Sequence, residues 1–167
     1  MKLNDLRDEV DIELNLMQDT VYELLAIQRD LIGKRPTVRE KTAAGAFLSQ
    51  FYGGVENILK RICRFYGIPI PMGDTWHIDL FNMFSDPPTP PLPLLFDKEF
   101  KASLTSFRKF RHLVHHGYGV QLEWDRMLPG IVAIEEVFQK FKVLITTYLT
   151  SLDQRQRTNG SEPGNNS

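Results

Sequence analysis

The sequence has a single cysteine, Cys63, and it lacks any long run of uncharged apolar residues. One cysteine cannot form an intrachain disulfide, which excludes a small secreted domain framed by disulfides. A transmembrane helix needs about 20 predominantly apolar residues in succession, and no such stretch occurs. The first nine residues are charged from the start and lack the apolar segment of a signal peptide. We therefore expect a cytoplasmic protein without a membrane segment.

A strong excess of charge of either sign is also missing. The chain of 167 residues has 20 Lys and Arg against 21 Asp and Glu, a formal net charge of -1. Proteins that coat long stretches of duplex nucleic acid rely on a broadly basic surface, so that class is excluded. Any binding site for an anion must therefore be local.

No segment alternates apolar and polar residues in the pattern of a half-buried strand, whereas apolar residues recur every three or four positions over long stretches. The first helical stripe leads to Gly33, and the second begins at a capping box formed by Thr37 and Glu40. Three glycines lie inside this second helix, at a cost of up to about 1 kcal/mol each relative to alanine. Close approach of another helix is the compensation that we expect at Gly45, Gly53 and Gly54.

The second half of the chain predicts two more long helices, one capped by Asp97 and one that begins near Leu128 with Pro129 in its first turn. A start nearer Glu123, with a kink, is the alternative. Seven of the ten prolines fall between residues 69 and 93, so this stretch is a loop. One short helix capped by Asp74 interrupts it.

These elements predict an all-α fold, an up-and-down bundle of four long helices plus one short helix. The helical domain spans residues 1–157, and we expect residues 158–167 to form a disordered polar tail. That tail has no apolar residue, so ordering it would cost chain entropy without burial in return.

Three of the four histidines lie within five residues, next to three permanent cations. This basic cluster comprises Arg108, Lys109, Arg111, His112, His115 and His116. Fixed positive charge together with groups that titrate near neutrality suits a phosphate-bearing substrate. The alternative is a solvated basic face whose histidines complement the dipole at a helix C-terminus.

A metal site is the weaker interpretation of the same histidines. His112 is spaced from His115 and His116 as two ligands on one helix face would be. However, the sequence has no HExxH motif and no cysteine nearby, and the adjacent Arg and Lys charges oppose a divalent ion. We therefore expect neither a metal nor a cofactor.

The residues Arg111, His116 and Tyr118 form the pattern R-x4-H-x-Y, which resembles the motif of HepT-type toxins in the HEPN superfamily of small helical ribonucleases. The resemblance extends over roughly residues 1 to 152 and includes Tyr52, Glu56 and the Trp76-His77 turn. The prolines between residues 87 and 93 and the polar tail have no counterpart in the family pattern.

The resemblance implies a metal-independent endoribonuclease that acts as a homodimer, with the motifs of two chains facing each other across a cleft. The ribose 2′-hydroxyl would attack the adjacent phosphate, leaving a 2′,3′-cyclic phosphate and a 5′-hydroxyl. His116 would move the proton and Arg111 would stabilise charge on the phosphoryl oxygens. His115 competes for the histidine role, and the RNA could be a tRNA or an mRNA.

The other members of the basic cluster, Arg108, Lys109, His112 and His115, are candidates for RNA binding. Residues five apart on an ideal helix differ by about 140° in direction, so Arg111 and His116 share a face only if the helix end unwinds. A two-fold partner would bring a second Arg111 and His116 to the same cleft.

Tyr118 has two interpretations. Its ring could pack over the neighbouring glycines as a structural residue. The resemblance implies instead that a nucleotidyltransferase antitoxin of the MNT type adenylylates Tyr118, which would add bulk and negative charge to the cleft. The alternative function is a non-catalytic helical subunit that docks onto a nucleotidyltransferase and uses the basic motif to hold nucleotide or partner.

Residues outside the motif carry weaker signals. Tyr52, Glu56 and His77 could line the cleft or orient motif residues, although Tyr52 lies next to an apolar stripe and is better explained as core. Cys63 is expected to be a buried small hydrophobe. Glu13 is expected to lie on a solvated helix face.

Overall fold

A computed structural model of the chain describes residues 1–116 and 122–159. Within these ranges the chain forms five helices: α1 (Leu3–Asp30), α2 (Val38–Phe65), α3 (Trp76–Asn82), α4 (Lys98–His115) and α5 (Trp124–Asn159). These residues contain no β-strand, and their only extended pairing is an isolated bridge between Ser85 and Phe96. The predicted all-α bundle of four long helices and one short helix is confirmed.

The ends of the long helices at Gly33, Thr37 and Asp97 follow the predicted capping chemistry, whereas α3 has Thr75 and not the expected Asp74 as its N-cap, without a side-chain hydrogen bond. The Thr37 hydroxyl accepts a hydrogen bond from the Glu40 amide at 3.2 Å, and the Glu40 carboxylate accepts one from the Thr37 amide at 2.7 Å. The Asp97 carboxylate caps α4 by accepting from the Phe100 amide at 2.7 Å. Gly33, just after α1, has a φ of 71°, a backbone conformation that favours glycine.

Helix α2 lies at the centre of the bundle and contacts each of the other four helices. The Phe51 ring lies 5.3 Å from the Phe107 ring of α4 and 6.3 Å from the Phe138 ring of α5, measured between centroids. This aromatic junction positions α4 against α2 along the half of the bundle that carries the basic cluster.

The loop around α3 is packed down by aromatic side chains. Phe81 of α3 stacks on Phe96 with 4.8 Å between ring centroids, and both rings are buried. The Phe84 carbonyl accepts hydrogen bonds from the amides of Leu95 and Phe96 at 3.0 and 3.1 Å. These contacts fix both ends of the proline-rich segment next to α3.

The bounds of α5 differ from the preferred prediction at both ends. It begins at Trp124, which agrees with the alternative start near Glu123 and not with the start near Leu128, so Pro129 is its sixth residue and not part of its first turn. Met127 and Ile131 are buried, and this apolar stripe extends the helix upstream of the proline. At the other end α5 includes Thr158, whose hydroxyl donates to the Gln154 carbonyl at 2.5 Å, and Asn159. The rest of the expected tail, residues 160–167, lies outside the described residues.

The glycines of α2 make room for side chains rather than for the backbone of a neighbouring helix. A Cβ at Gly53 would lie 3.1 Å from Nη1 of Arg111, and a Cβ at Gly45 would lie 2.6 Å from Cδ1 of Leu122. At Gly54 it would overlap the Met17 side chain of α1. Another helix therefore approaches closely at Gly53 and Gly54, as expected, whereas at Gly45 the neighbour is Leu122, which lies outside the helices.

No helix within residues 1–116 and 122–159 is both long and apolar enough to cross a membrane.

Candidate functional site

Glu56 is the centre of the candidate site. It lies on α2 with only 1% of its surface exposed. One carboxylate oxygen accepts a hydrogen bond from Nε of Arg111 on α4 at 2.9 Å. The other lies 2.5 Å from Nδ1 of His77 on α3. A carboxylate can only accept, so Nδ1 of His77 is the donor, and one buried side chain joins three helices.

The Arg111 side chain is held in a single orientation by α2. Its guanidinium lies against Gly53, where any larger residue would contact Nη1. Nη1 also donates to the Ser49 carbonyl at 3.3 Å, in addition to the bond from Nε to Glu56. The described residues provide no hydrogen-bond partner for Nη2, which leaves this nitrogen able to bind an added anion.

Helix α3 fixes the ring of His77. The Trp76 and His77 rings are 3.5 Å apart between centroids, and Nζ of Lys60 lies 4.1 Å over the Trp76 ring. Burial is the main cause that lowers the pKa of Lys60. The His77 ring is therefore confined between an indole and a buried carboxylate.

A groove of about 520 Å³ separates α4 from the α3 segment. Its walls include His77 and Asp74 on one side and Arg108, Lys109, Arg111 and His112 on the other. The volume falls in the range of small-molecule and nucleotide sites. Four of the six predicted cluster residues thus line one groove together with His77.

The histidines at the end of α4 divide between two faces. His115 follows Arg111 by one helical turn, and the positive charge of Arg111 is the largest of several causes that lower its pKa. His116 follows the last helical residue, and its amide donates to the His112 carbonyl at 3.2 Å. Its ring packs edge-on against His112, with 4.1 Å between centroids.

Arg111 and His116 do not meet in one chain. The helix stays closed up to His115, and no hydrogen bond or ion pair among the described residues links Arg111 to His116. The unwinding that would put both on one face is absent at residues 111–116. His115, which is not part of the R-x4-H-x-Y pattern, is the histidine on the Arg111 side. Tyr118 and the two neighbouring glycines lie outside the described residues.

A second groove of about 520 Å³ lies between α1 and α2, on the other side of Arg111. Glu13 lines it but is only 7% exposed, which corrects the expectation of a solvated residue. Its carboxylate accepts from the Asn57 amide at 3.0 Å and pairs with Arg61 at 3.2 Å. Glu13 directly precedes Leu14, a buried residue of the apolar stripe of α1. Whether a residue at the edge of that stripe is buried depends on which residues of α2 lie against it.

Tyr52 and Cys63 are core residues, as expected. Tyr52 is fully buried, its hydroxyl has no hydrogen-bond partner among the described residues, and burial is the main cause that raises its pKa. Burial raises the pKa of Cys63 to about 11, so its thiol is unreactive near neutral pH. Neither contributes a group to the groove.

Between residues 1 and 116 and between 122 and 159, no three His, Cys, Asp or Glu side chains are placed to hold a metal ion. The histidine pair at positions 112 and 116 lacks a third ligand within these ranges.

The sequence matches a family model described as HepT-like protein over residues 43–152. The match covers most of α2, all of α3 and α4 and most of α5, and it includes Glu56, His77 and the whole R-x4-H-x-Y pattern. The chain therefore belongs to the HepT-like family of the HEPN superfamily. At the level of the family these are HEPN-type ribonuclease toxins of toxin-antitoxin systems. Neither the curated proteins nor the solved structures give a match to the chain.

Proposed function

We propose that the protein is a metal-independent endoribonuclease toxin that binds RNA in the groove between α3 and α4. The observation that carries the proposal is the orientation of Arg111 by the buried Glu56, beside a groove lined by three further cationic or titratable residues of α4. A guanidinium with two nitrogens engaged and Nη2 unpartnered is suited to a phosphate oxygen.

In the proposed reaction the ribose 2′-oxygen attacks phosphorus, the P–O5′ bond breaks, and Arg111 stabilises the charge that develops on the phosphoryl oxygens. His116 moves a proton in this step. The products are a 2′,3′-cyclic phosphate and a 5′-hydroxyl. Histidine suits the role because its unperturbed pKa of about 6.5 keeps both protonation states accessible near neutrality.

The proposed enzyme is a homodimer. Within one chain Arg111 and His116 lie on different faces of the α4 terminus, where His116 packs on His112. A two-fold partner would bring the second chain's α4 terminus to the same cleft, so that Arg111 of one chain and His116 of the other act on one phosphate. His115, on the Arg111 side, is the competing histidine if a single chain suffices.

Cleavage of a tRNA and of an mRNA, both with EDTA present, tests the function and the histidine assignment. We expect wild-type protein to cleave at least one of these RNAs, and His116→Ala and Arg111→Ala each to lose about 10²- to 10⁴-fold in rate. Arg126→Ala is the matched control, since Arg126 is an exposed arginine outside the groove and should leave the rate unchanged. A rate that survives in His116→Ala but is lost in His115→Ala would reverse the assignment.

We further propose that a nucleotidyltransferase antitoxin silences the toxin by adenylylating Tyr118. Co-expression with a nucleotidyltransferase encoded next to the toxin should increase the protein mass by multiples of one AMP residue and abolish cleavage. Tyr118→Phe should keep its mass and its activity under the same conditions. An unchanged wild-type mass with full activity would contradict this switch.

RNA binding without any cleavage by wild-type protein would contradict the nuclease proposal and favour the non-catalytic subunit. Filter binding of the same RNAs, run in parallel with the cleavage assay, separates these two outcomes.

A further inference from the structure

We infer that His77 is a second proton-transfer residue of the candidate site, acting in the same cleavage step as the motif histidine. The inference rests on the proposed ribonuclease function and adds a residue that lies outside the R-x4-H-x-Y pattern. It starts from the side chains that line the groove beside Arg111.

The proposed reaction moves two protons. The 2′-hydroxyl loses one as the O2′–P bond forms, and the departing 5′-oxygen gains one as the P–O5′ bond breaks. A single histidine can exchange protons with the 2′-oxygen and the 5′-oxygen only one after the other, whereas two residues can do so within one step. A metal-free site therefore benefits from a second titratable group on the same groove.

His77 has the geometry for that task. Its Nδ1 is bound to Glu56 at 2.5 Å, so Nε2 is the ring nitrogen that remains available to exchange a proton. The residue lines the same groove as Arg111, and one carboxylate orients both side chains. A carboxylate bonded to one imidazole nitrogen fixes the tautomer and aims the other nitrogen, as in known acid-base dyads.

The elements packed around His77 together supply charge of both signs. From α2 come Glu56 and Lys60, from α4 the basic cluster, and from its own segment Asp74. His77 is also one of the groups whose charge lowers the pKa of His115.

The two histidines account for both protons that move in the reaction. One imidazole accepts the 2′-hydroxyl proton while the other, as imidazolium, delivers a proton to O5′. Proton exchange with water then restores both rings. Arg111 stays protonated throughout and only stabilises charge.

The substitution His77→Asn separates chemistry from structure. The asparagine amide nitrogen stands where Nδ1 stands, so it can still donate to Glu56, but it has no nitrogen that titrates. We expect kcat for RNA cleavage to fall about 10²- to 10⁴-fold, as severely as in His77→Ala, with a much smaller change in KM. The pH-rate profile should lose one of its two limbs.

Asp79→Asn is the control on the same short helix, since Asp79 is bonded to Thr75 and is not part of the groove wall. Its kcat should stay within about twofold of wild type, which follows from the small effects of surface substitutions.

Two results would overturn the inference. Wild-type kcat in His77→Asn, or a profile that keeps both limbs, would show that His77 only holds α3 to Glu56. If wild-type protein cleaves no RNA, the proposed function fails instead. If it cleaves and His77→Asn cleaves equally well, only the role of His77 fails.

Discussion

Glu56 is the residue that orients both Arg111 and His77. A buried carboxylate is costly unless it is paired and hydrogen-bonded, and this one is paired on both oxygens, with Arg111 and with His77. Replacing one partner of such a group is far more disruptive than breaking a surface pair.

The substitution Glu56→Gln should therefore lower the free energy of unfolding by about 3 kcal/mol, because Arg111 loses a charged acceptor inside the bundle. Urea denaturation measures this. Glu136→Gln is the matched control, since Glu136 pairs with Lys140 on the surface and is 76% exposed. It should change the unfolding free energy by less than about 0.5 kcal/mol. Equal stability of the two variants would contradict the role of Glu56.

Gly53 offers a steric test of the Arg111 orientation. Alanine improves helix propensity by up to about 1 kcal/mol, so Gly53→Ala should not unfold the protein. Its Cβ would press on Nη1 of Arg111 from 3.1 Å and displace the guanidinium. We expect RNA cleavage to fall at least about 10-fold, since small misplacements of catalytic groups are costly.

The comparison variant is Gly54→Ala, which presses on the Met17 side chain instead of Arg111. It should lose stability through the packing of Met17, with a smaller effect on kcat. Full activity of folded Gly53→Ala would contradict the placement of Arg111.

His115 reports on Arg111 through its own titration. The charge of Arg111 is the main cause that lowers the pKa of His115, and the ring is largely exposed, so the effect is screened by salt. NMR titration should show this pKa rising towards its ordinary value in Arg111→Gln, and rising in wild type as salt is added. A pKa that is unchanged by both would place His115 away from Arg111.

For individual residues, the sequence predicts the basic cluster on α4 but not the role of Glu56. Arg111, His112, His115 and His116 are close in sequence, and helical spacing alone divides them between faces. Glu56 and His77 are 21 residues apart and reach each other only because α3 folds back on α2. The resemblance pointed to both residues without showing what they contact.

Among the elements, α3 has the most specific task, because it carries His77 to the groove. A helix of seven residues is too short to be stable alone, so it depends on its packing against α2 and the proline-rich loop. Trp76 is the contact with Lys60, and Phe81 is the contact with Phe96.

Trp76→Ala should therefore loosen α3 without unfolding the bundle. Hydrogen exchange should become faster across residues 76–82, while α2 and α5 keep their protection. Met72→Ala is the control, because Met72 is 90% exposed in the same loop and should leave exchange unchanged. Loss of protection throughout α2 in Trp76→Ala would contradict the local role of this helix.

The elements were largely predictable because apolar spacing, caps and glycine ends act locally. Thr37, Asp97 and Gly33 mark helix ends as expected. The sequence left two starts of α5 open, near Leu128 and near Glu123, and the burial of Met127 and Ile131 selects the upstream one. That burial depends on where α2 and α4 lie.

The whole molecule has a near-neutral formal net charge of -1, although the end of α4 is basic. Both hold because the cations of α4 are concentrated along one groove. Arg111 and His116 lie on different faces of that end. This separation supports our proposal that two chains build each site, Arg111 from one and His116 from the other.

Mixing two inactive variants tests this claim most directly. Arg111→Ala and His116→Ala chains, co-expressed in equal amounts with different tags, form about half heterodimers, each with one intact composite site. We expect RNA cleavage to recover to about a quarter of the wild-type rate. In the reciprocal mixture of wild type with the double variant, heterodimers should be inactive. No recovery when Arg111→Ala and His116→Ala chains are mixed, together with active heterodimers of wild type and the double variant, would show that a single chain holds the whole site. That result would refute the two-chain site.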